Sequence, residues 1–102
     1  MTDLRLAYER AVAELGERVS GMLAAGRAQE QVARWAVGQR DRLKQVYRDM
    51  TPPAALSIIE ARSLAQYGNI TGPSVEQLRD GGKSWAEIAA SAGRPGKQPD
   101  GL

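Results

Sequence analysis

Mostly apolar side chains recur at three- and four-residue steps through the first half of the chain. In the first segment these residues are Leu4, Tyr8, Ala11, Leu15, Val19 and Met22. In the second they are Val32, Ala36, Gln39, Leu43, Val46 and Met50. Such spacing places each set on one side of an α-helix. We therefore predict an all-α fold that begins with a long helical hairpin, its helices spanning about residues 3–25 and 28–50.

A proline pair predicts the start of a third helix, over about residues 53–67. Proline suits the first helical turn, and the preceding Thr51 could cap free backbone amides. The apolar residues that this helix should bury are Leu56, Ile59 and Leu64. Gly68 and Asn69 tolerate positive φ and should end the helix.

The clearest local signal is the segment Ser84-Trp85-Ala86-Glu87. It has the spacing of a capping box, in which the serine hydroxyl and the glutamate carboxylate each accept a hydrogen bond from the other residue's backbone amide. A last helix should therefore begin within a residue of Ser84 and end near Gly93, after a short helix over residues 73–80. We predict one helical domain over residues 1–93 and an extended or disordered tail over residues 94–102.

The chain of 102 residues contains no cysteine and no histidine. This excludes disulfides, thiolate zinc sites, histidine-ligated metals and Ser-His-Asp catalysis. The acidic residues are dispersed, without the pairing of a two-metal site, so we expect neither a metal nor a cofactor. No apolar run approaches the roughly 20 residues of a membrane span, and the first residues lack the pattern of a signal peptide.

The formal net charge of +2 is too small to indicate nucleic-acid binding by itself. Local clustering is stronger, because Arg40, Lys44 and Arg48 follow one another at four-residue steps on the second helix. We name these three as candidate nucleic-acid-binding residues. An ordinary solvated helix face, partly neutralised by Asp41 and Asp49, is the other interpretation.

A second group of polar residues could form a catalytic surface. If the irregular segment 67–73 folds against the last helix, a group of polar side chains would converge there: Tyr67, Asn69, Thr71, Lys83, Ser84 and Arg94. We name Tyr67, Lys83, Ser84 and Arg94 as the candidate catalytic residues, with tyrosine or lysine as a base and arginine stabilising developing charge. Caps and turns explain the same residues without catalysis. The turn before Ser84 is not a P-loop, because Gln77 stands where that motif needs its first glycine.

The segment SVEQLRDGGKSWAEIAASAG, residues 74–93, is similar to the first two elements of a helix-turn-helix. The next residues are Arg94-Pro95-Gly96 and a tail that is poorly suited to form a recognition helix. A reduced helix-turn-helix DNA binder is therefore a minor alternative.

Several short motifs occur in order between Val32 and Gly96: Arg40 with Lys44, Tyr47-Arg48, Thr51-Pro52, Tyr67-Gly68, Gly72-Pro73, Gly82-Lys83-Ser84-Trp85 and Arg94-Pro95-Gly96. In this arrangement the chain resembles a small C-terminal toxin domain of bacterial polymorphic toxins, including Rhs-type and related secreted proteins. The resemblance implies an effector toxin of interbacterial competition, carried from the producer's cytoplasm into a target cell by a larger protein. It also implies a cognate immunity protein as partner, and it assigns no catalytic residues.

The sequence supports two hypotheses of different class. The leading hypothesis is an effector toxin domain acting on nucleic acid, leaning to a metal-independent nuclease. The alternative is a non-catalytic helical protein–protein interaction module, such as an adaptor, an immunity-like partner or a regulator that forms a homodimer through its N-terminal hairpin.

Overall fold

The structure, a computed structural model, describes residues 4–94 as five α-helices joined by short connections. They are α1 (Leu4–Ala24), α2 (Gln29–Asp49), α3 (Pro53–Tyr67), α4 (Val75–Asp80) and α5 (Trp85–Ala92). This range contains no β-strand, so the predicted all-α fold with a long N-terminal hairpin is confirmed. Beyond Arg94, the predicted tail lies outside the described residues.

The core forms where α1, α2 and α5 pack against one another. Its buried members are Leu15 and Val19 of α1, Val32, Ala33 and Ala36 of α2, and Ile88, Ala89 and Ala92 of α5. The alanines allow the helix backbones to approach closely, and Ile88 fills the space between them. Helix α5 has only eight residues, yet it completes the core. Burying one large side chain such as Ile88 contributes about 1.5–3 kcal/mol.

The predicted helix stripes are correct in α1 and only half correct in α2. In α1, the structure buries Tyr8, Leu15 and Val19, and it also buries Val12, which the prediction omitted. In α2, Val46 and Met50 are 54% and 56% exposed, contrary to the prediction. In this part of α2, Tyr47 packs on Tyr8 of α1 and Arg48 is buried against the carbonyl of Ile70, so Val46 and Met50 lie outside both contacts.

Two turns have the conformation that their glycines predict. Gly26, between α1 and α2, has φ 81°, and Gly68, after α3, has φ 76°. The Gly68 amide donates to the carbonyl of Leu64 at 2.9 Å and so closes α3. Both values lie in the left-handed region, where glycine carries no Cβ penalty.

The start of α3 is correctly predicted, but its cap is not. Pro53 occupies the first helical position. The hydroxyl of Thr51 does not cap α3, because it donates backward to the carbonyl of Tyr47 at 2.8 Å. The N-cap position is occupied by Pro52, which has no side-chain acceptor. The proline geometry, and not a threonine cap, therefore defines the beginning of this helix.

Capping boxes begin both short helices. The predicted one is present at Ser84 and Glu87, and α5 starts at Trp85 as expected. A second box, which the sequence interpretation missed, joins Ser74 and Gln77 at the start of α4. Each box satisfies backbone amides that a helix start otherwise leaves free. None of the described helices is both long and apolar enough to cross a bilayer.

Candidate interaction face and cationic cleft

Helix α3 is apolar around most of its circumference, yet it buries only Ile59 and Ser63. Leu64, which we predicted to be buried, is 54% exposed, and Ile58 is 53% exposed. Helical spacing places five exposed apolar residues on the side opposite Ile59 and Ser63. These residues, which we call the outer face of α3, are Ala54, Ile58, Ala61, Leu64 and Ala65.

Charge is scarce on the outer face of α3. The helix has two charged residues, Glu60 and Arg62. Glu60 is half-buried and lies toward the inner side, close enough to influence the charge of Arg48 on α2. A soluble helix usually pairs one apolar stripe with a charged opposite face. Arg62 is exposed and lies beside the outer face, so the five residues of the outer face carry no charge themselves. An uncharged, exposed apolar row is the usual composition of a contact surface.

The three cations predicted to bind nucleic acid do not form an external ridge. Arg48 is buried, with 6% of its surface exposed, and its Nη1 donates to the carbonyl of Ile70. Lys44 Nζ donates to the carbonyl of Thr71 at 2.8 Å. Arg40 Nη1 donates to the carbonyl of Ser91 at 3.0 Å. These side chains therefore connect α2 to the segment 68–74 and to the end of α5.

Burial shifts the protonation equilibria of this group. Desolvation lowers the pKa of Lys44 to about 8, and the neighbouring Arg40 charge adds to the effect. Desolvation also lowers the pKa of Arg48. It raises the pKa of Asp41, against the opposing attraction of Lys44 and Arg40. The three shifts share a cause, because a charged group in a partly dry environment loses hydration.

Asn69 organises the loop that these cations contact. Its Oδ1 accepts hydrogen bonds from the Thr71 amide at 3.0 Å, the Thr71 hydroxyl at 3.1 Å and the Gly72 amide at 2.8 Å. Gly72 has φ 108°, and a Cβ at that position would lie 2.9 Å from Lys44 Nζ. The turn thus brings the Thr71 carbonyl and the lysine ammonium together. Asn69 and Thr71 were predicted to lie in the converging polar group, and their side chains here form the turn itself.

The four predicted catalytic residues do not meet in one place. Ser84 and Arg94 flank opposite ends of α5, a helix about 12 Å long at 1.5 Å per residue. The Ser84 hydroxyl is engaged with Glu87 at 3.0 Å. The backbone carbonyl of Tyr67 accepts a hydrogen bond from the side-chain amide of Gln77. The backbone carbonyl of Lys83 accepts one from the guanidinium of Arg79. Within residues 4–94, no hydrogen bond joins any two of the four, and the catalytic assignment stays a prediction.

Trp85 forms a contact that the sequence interpretation did not identify. The Arg79 guanidinium lies 4.5 Å from the centroid of the Trp85 ring. The Arg34 guanidinium lies 5.1 Å from the same centroid. Arg34 also pairs with Glu76 of α4 and Glu30 of α2 at 3.1 Å each. These exposed contacts are individually worth little. Together they attach α2 to α4 and to the beginning of α5, which explains the position of the tryptophan.

The second half of the proposed helix-turn-helix is part of the core. The buried side of α5 faces the α1–α2 hairpin, and α4 packs beside it. Comparison with protein-family models, with curated proteins and with solved structures finds no match to this chain. In the described part of the chain, no group of three or more acidic side chains is arranged to hold a metal ion. Among the described residues, the outer face of α3 and the buried cations around Lys44 are features that suggest a function.

Proposed function

We propose that this chain is a non-catalytic helical interaction module that pairs with a second copy of itself through the outer face of α3. One observation carries the proposal: a nearly uncharged row of apolar side chains on α3 is exposed to solvent. Water contact with such a row is unfavourable, by about 25 cal/mol for each Å² of apolar surface. Covering it with a like surface removes that contact from both copies at once.

The arrangement of the outer face suits a second copy. Ile58 and Leu64 each lie three residues from Ala61, one on either side. Two α3 helices in antiparallel orientation about a two-fold axis near Ala61 would therefore place Ile58 of one copy beside Leu64 of the other. The alanines permit a close approach of the backbones, and the absence of charge on the face avoids repulsion between identical surfaces.

We predicted a homodimer through the N-terminal hairpin, and the pairing proposed here uses α3 instead. Helix α5 covers the part of the hairpin stripe that Leu15, Val19 and Ala36 form, whereas Val46 and Met50 are exposed. A dimer through the covered part would have to displace α5. The outer face of α3 needs no such rearrangement, since it is exposed in the single chain.

The effector-toxin function implied by the resemblance stays a prediction, together with its immunity partner and its nucleic-acid target. Inducible expression of the chain in a bacterium, followed by viability and nucleic-acid integrity measurements, tests it. Loss of viability that persists in Ile58→Glu would separate toxicity from pairing through α3. Unimpaired growth would contradict the toxin function.

Sedimentation equilibrium tests the interaction module. The wild-type chain should sediment as a dimer, and Ile58→Glu or Leu64→Glu should sediment as a monomer, because each places a carboxylate in the proposed interface. Gln66→Glu is the matched control, since it adds the same charge to α3 on an exposed position away from Ala61. It should remain dimeric. A wild-type chain that is monomeric at every concentration would contradict the proposal.

A further inference from the structure

A small cleft lies between α2, the segment 73–78 and α5. Its polar lining consists of Arg40, Asp41, Lys44 and Ser91, and its apolar lining includes Val37 and Ile88. It encloses about 40 Å³, which is space for roughly three water molecules if each needs at least 10–15 Å³. A compact tetrahedral ion occupies a similar space. The cleft is independent of the outer face of α3.

The lining of this cleft carries more positive than negative charge. Arg40 and Lys44 donate hydrogen bonds to neutral carbonyls, those of Ser91 and Thr71. Within residues 4–94, neither side chain has an ion pair within 4.0 Å. Asp41 is the acid in the lining, so two cations face one carboxylate. The cleft therefore has an excess of one positive charge, and burial has already removed part of the hydration of Lys44.

Arg40 has a further polar group without a role in the fold. Its Nε is buried and has no hydrogen-bond partner within the described part of the chain. A buried donor of this kind normally has a partner, because leaving it unsatisfied costs about 1–3 kcal/mol. An acceptor can reach this Nε only after the Arg40 side chain has moved, because the atom exposes less than 1 Å² of surface. In the present conformation an anion in the cleft would contact the outer nitrogens of the guanidinium.

We propose that the cleft between α2 and α5 binds a small tetrahedral oxyanion of the phosphate class, held by Arg40 and Lys44. The Lys44 ammonium has two further N–H donors beyond the one that Thr71 accepts. An oxyanion can accept from these and from the Arg40 guanidinium at the same time. Asp41 opposes the anion by charge, so it limits the affinity, and its repulsion is larger for an anion of higher charge.

Inorganic phosphate is the probe, and thermal unfolding of the full chain is the first measurement. Phosphate should raise the unfolding temperature along a saturable curve, whereas chloride at equal ionic strength should not, because a specific ligand stabilises the state that binds it. Asp41→Asn should bind phosphate more tightly. Lys44→Met should weaken binding about tenfold or more, the loss expected for a charged hydrogen bond.

Arg42→Met is the matched control, since it removes an exposed cation from the same helix, and its phosphate affinity should equal that of the wild type. A second measurement needs no variant. With lysine labelled at Cε, the NMR titration midpoint of Lys44 should be higher in phosphate than in chloride, because a bound anion favours the ammonium form. Identical midpoints in the two salts, or binding that Lys44→Met leaves unchanged, would overturn the proposal.

Discussion

Gly16 of α1 and Gly93, which comes directly after α5, are in direct backbone contact: a Cβ built on Gly16 would lie 2.5 Å from the Gly93 carbonyl oxygen. Real Cβ atoms do not approach backbone that closely, so both positions require glycine. This contact lets the end of α5 lie against α1. The core residues Ile88 and Ala92 reach the hairpin because the two backbones meet here.

Gly16→Ala should therefore destabilise the fold. The added methyl group would push α5 away from α1, and overpacking of this kind costs about 1–3 kcal/mol. Gly21→Ala is the matched control in the same helix, because nothing lies within 4 Å of a Cβ there. It should stabilise the protein by roughly 0.8–1 kcal/mol through helix propensity. Urea unfolding of both variants measures the difference, and equal effects at the two positions would contradict the contact.

Asn69→Ala should loosen the loop that carries the Thr71 carbonyl. The substitution removes the acceptor of three hydrogen bonds, and unsatisfied buried donors cost about 1–3 kcal/mol. Asn69→Asp keeps an oxygen acceptor and should retain most of the stability. Denaturant unfolding separates the two variants. Equal stability of Asn69→Ala and the wild type would show that the loop does not depend on this side chain.

Lys44 should make stability depend on pH in the alkaline range. Its pKa is lowered to about 8 in the folded chain from an ordinary value of 10.5, so between these values the unfolded chain binds more protons. Stability should therefore rise as the pH increases from about 8 to 10.5. Lys44→Met should remove that part of the rise. A wild-type curve that falls across this window, or one that matches the variant, would contradict the assignment.

Ser84 tests whether a predicted catalytic residue acts as a cap. Ser84→Ala should cost about 1 kcal/mol, because the Glu87 amide loses its acceptor. Ser84→Asp should keep the stability, since aspartate is an equally good N-cap. Thermal unfolding measures both. A nuclease activity that Ser84→Asp abolishes in a stably folded chain would instead support the catalytic assignment.

The sequence predicted the positions of the helices better than the tertiary contacts that their side chains make. Periodicity located α1 and α2, and the Ser84–Glu87 spacing located the start of α5, because these are local interactions. The same spacing at Ser74 and Gln77 was present and was overlooked. The burial of Arg48 was not predictable from α2 itself, since it depends on the carbonyl of Ile70, 22 residues away.

The candidate surfaces required the tertiary structure. Leu64 and Ile59 have equally apolar side chains, and only their positions around α3 separate the exposed residue from the buried one. The orientation of Arg40 and Lys44 toward Ser91 and Thr71 depends on how α5 and the loop fold over α2. Pattern reasoning supplied the three cations as a group, but it could not determine that they face inward.

The central claim, pairing through the outer face of α3, is tested most directly by amide NMR spectra of the wild-type chain across a dilution series. We expect concentration-dependent shifts and line widths at Ile58, Ala61 and Leu64 and their neighbours on that face, with the amides of α5 unchanged. Spectra that do not vary with concentration, or changes confined to helices other than α3, would contradict the account.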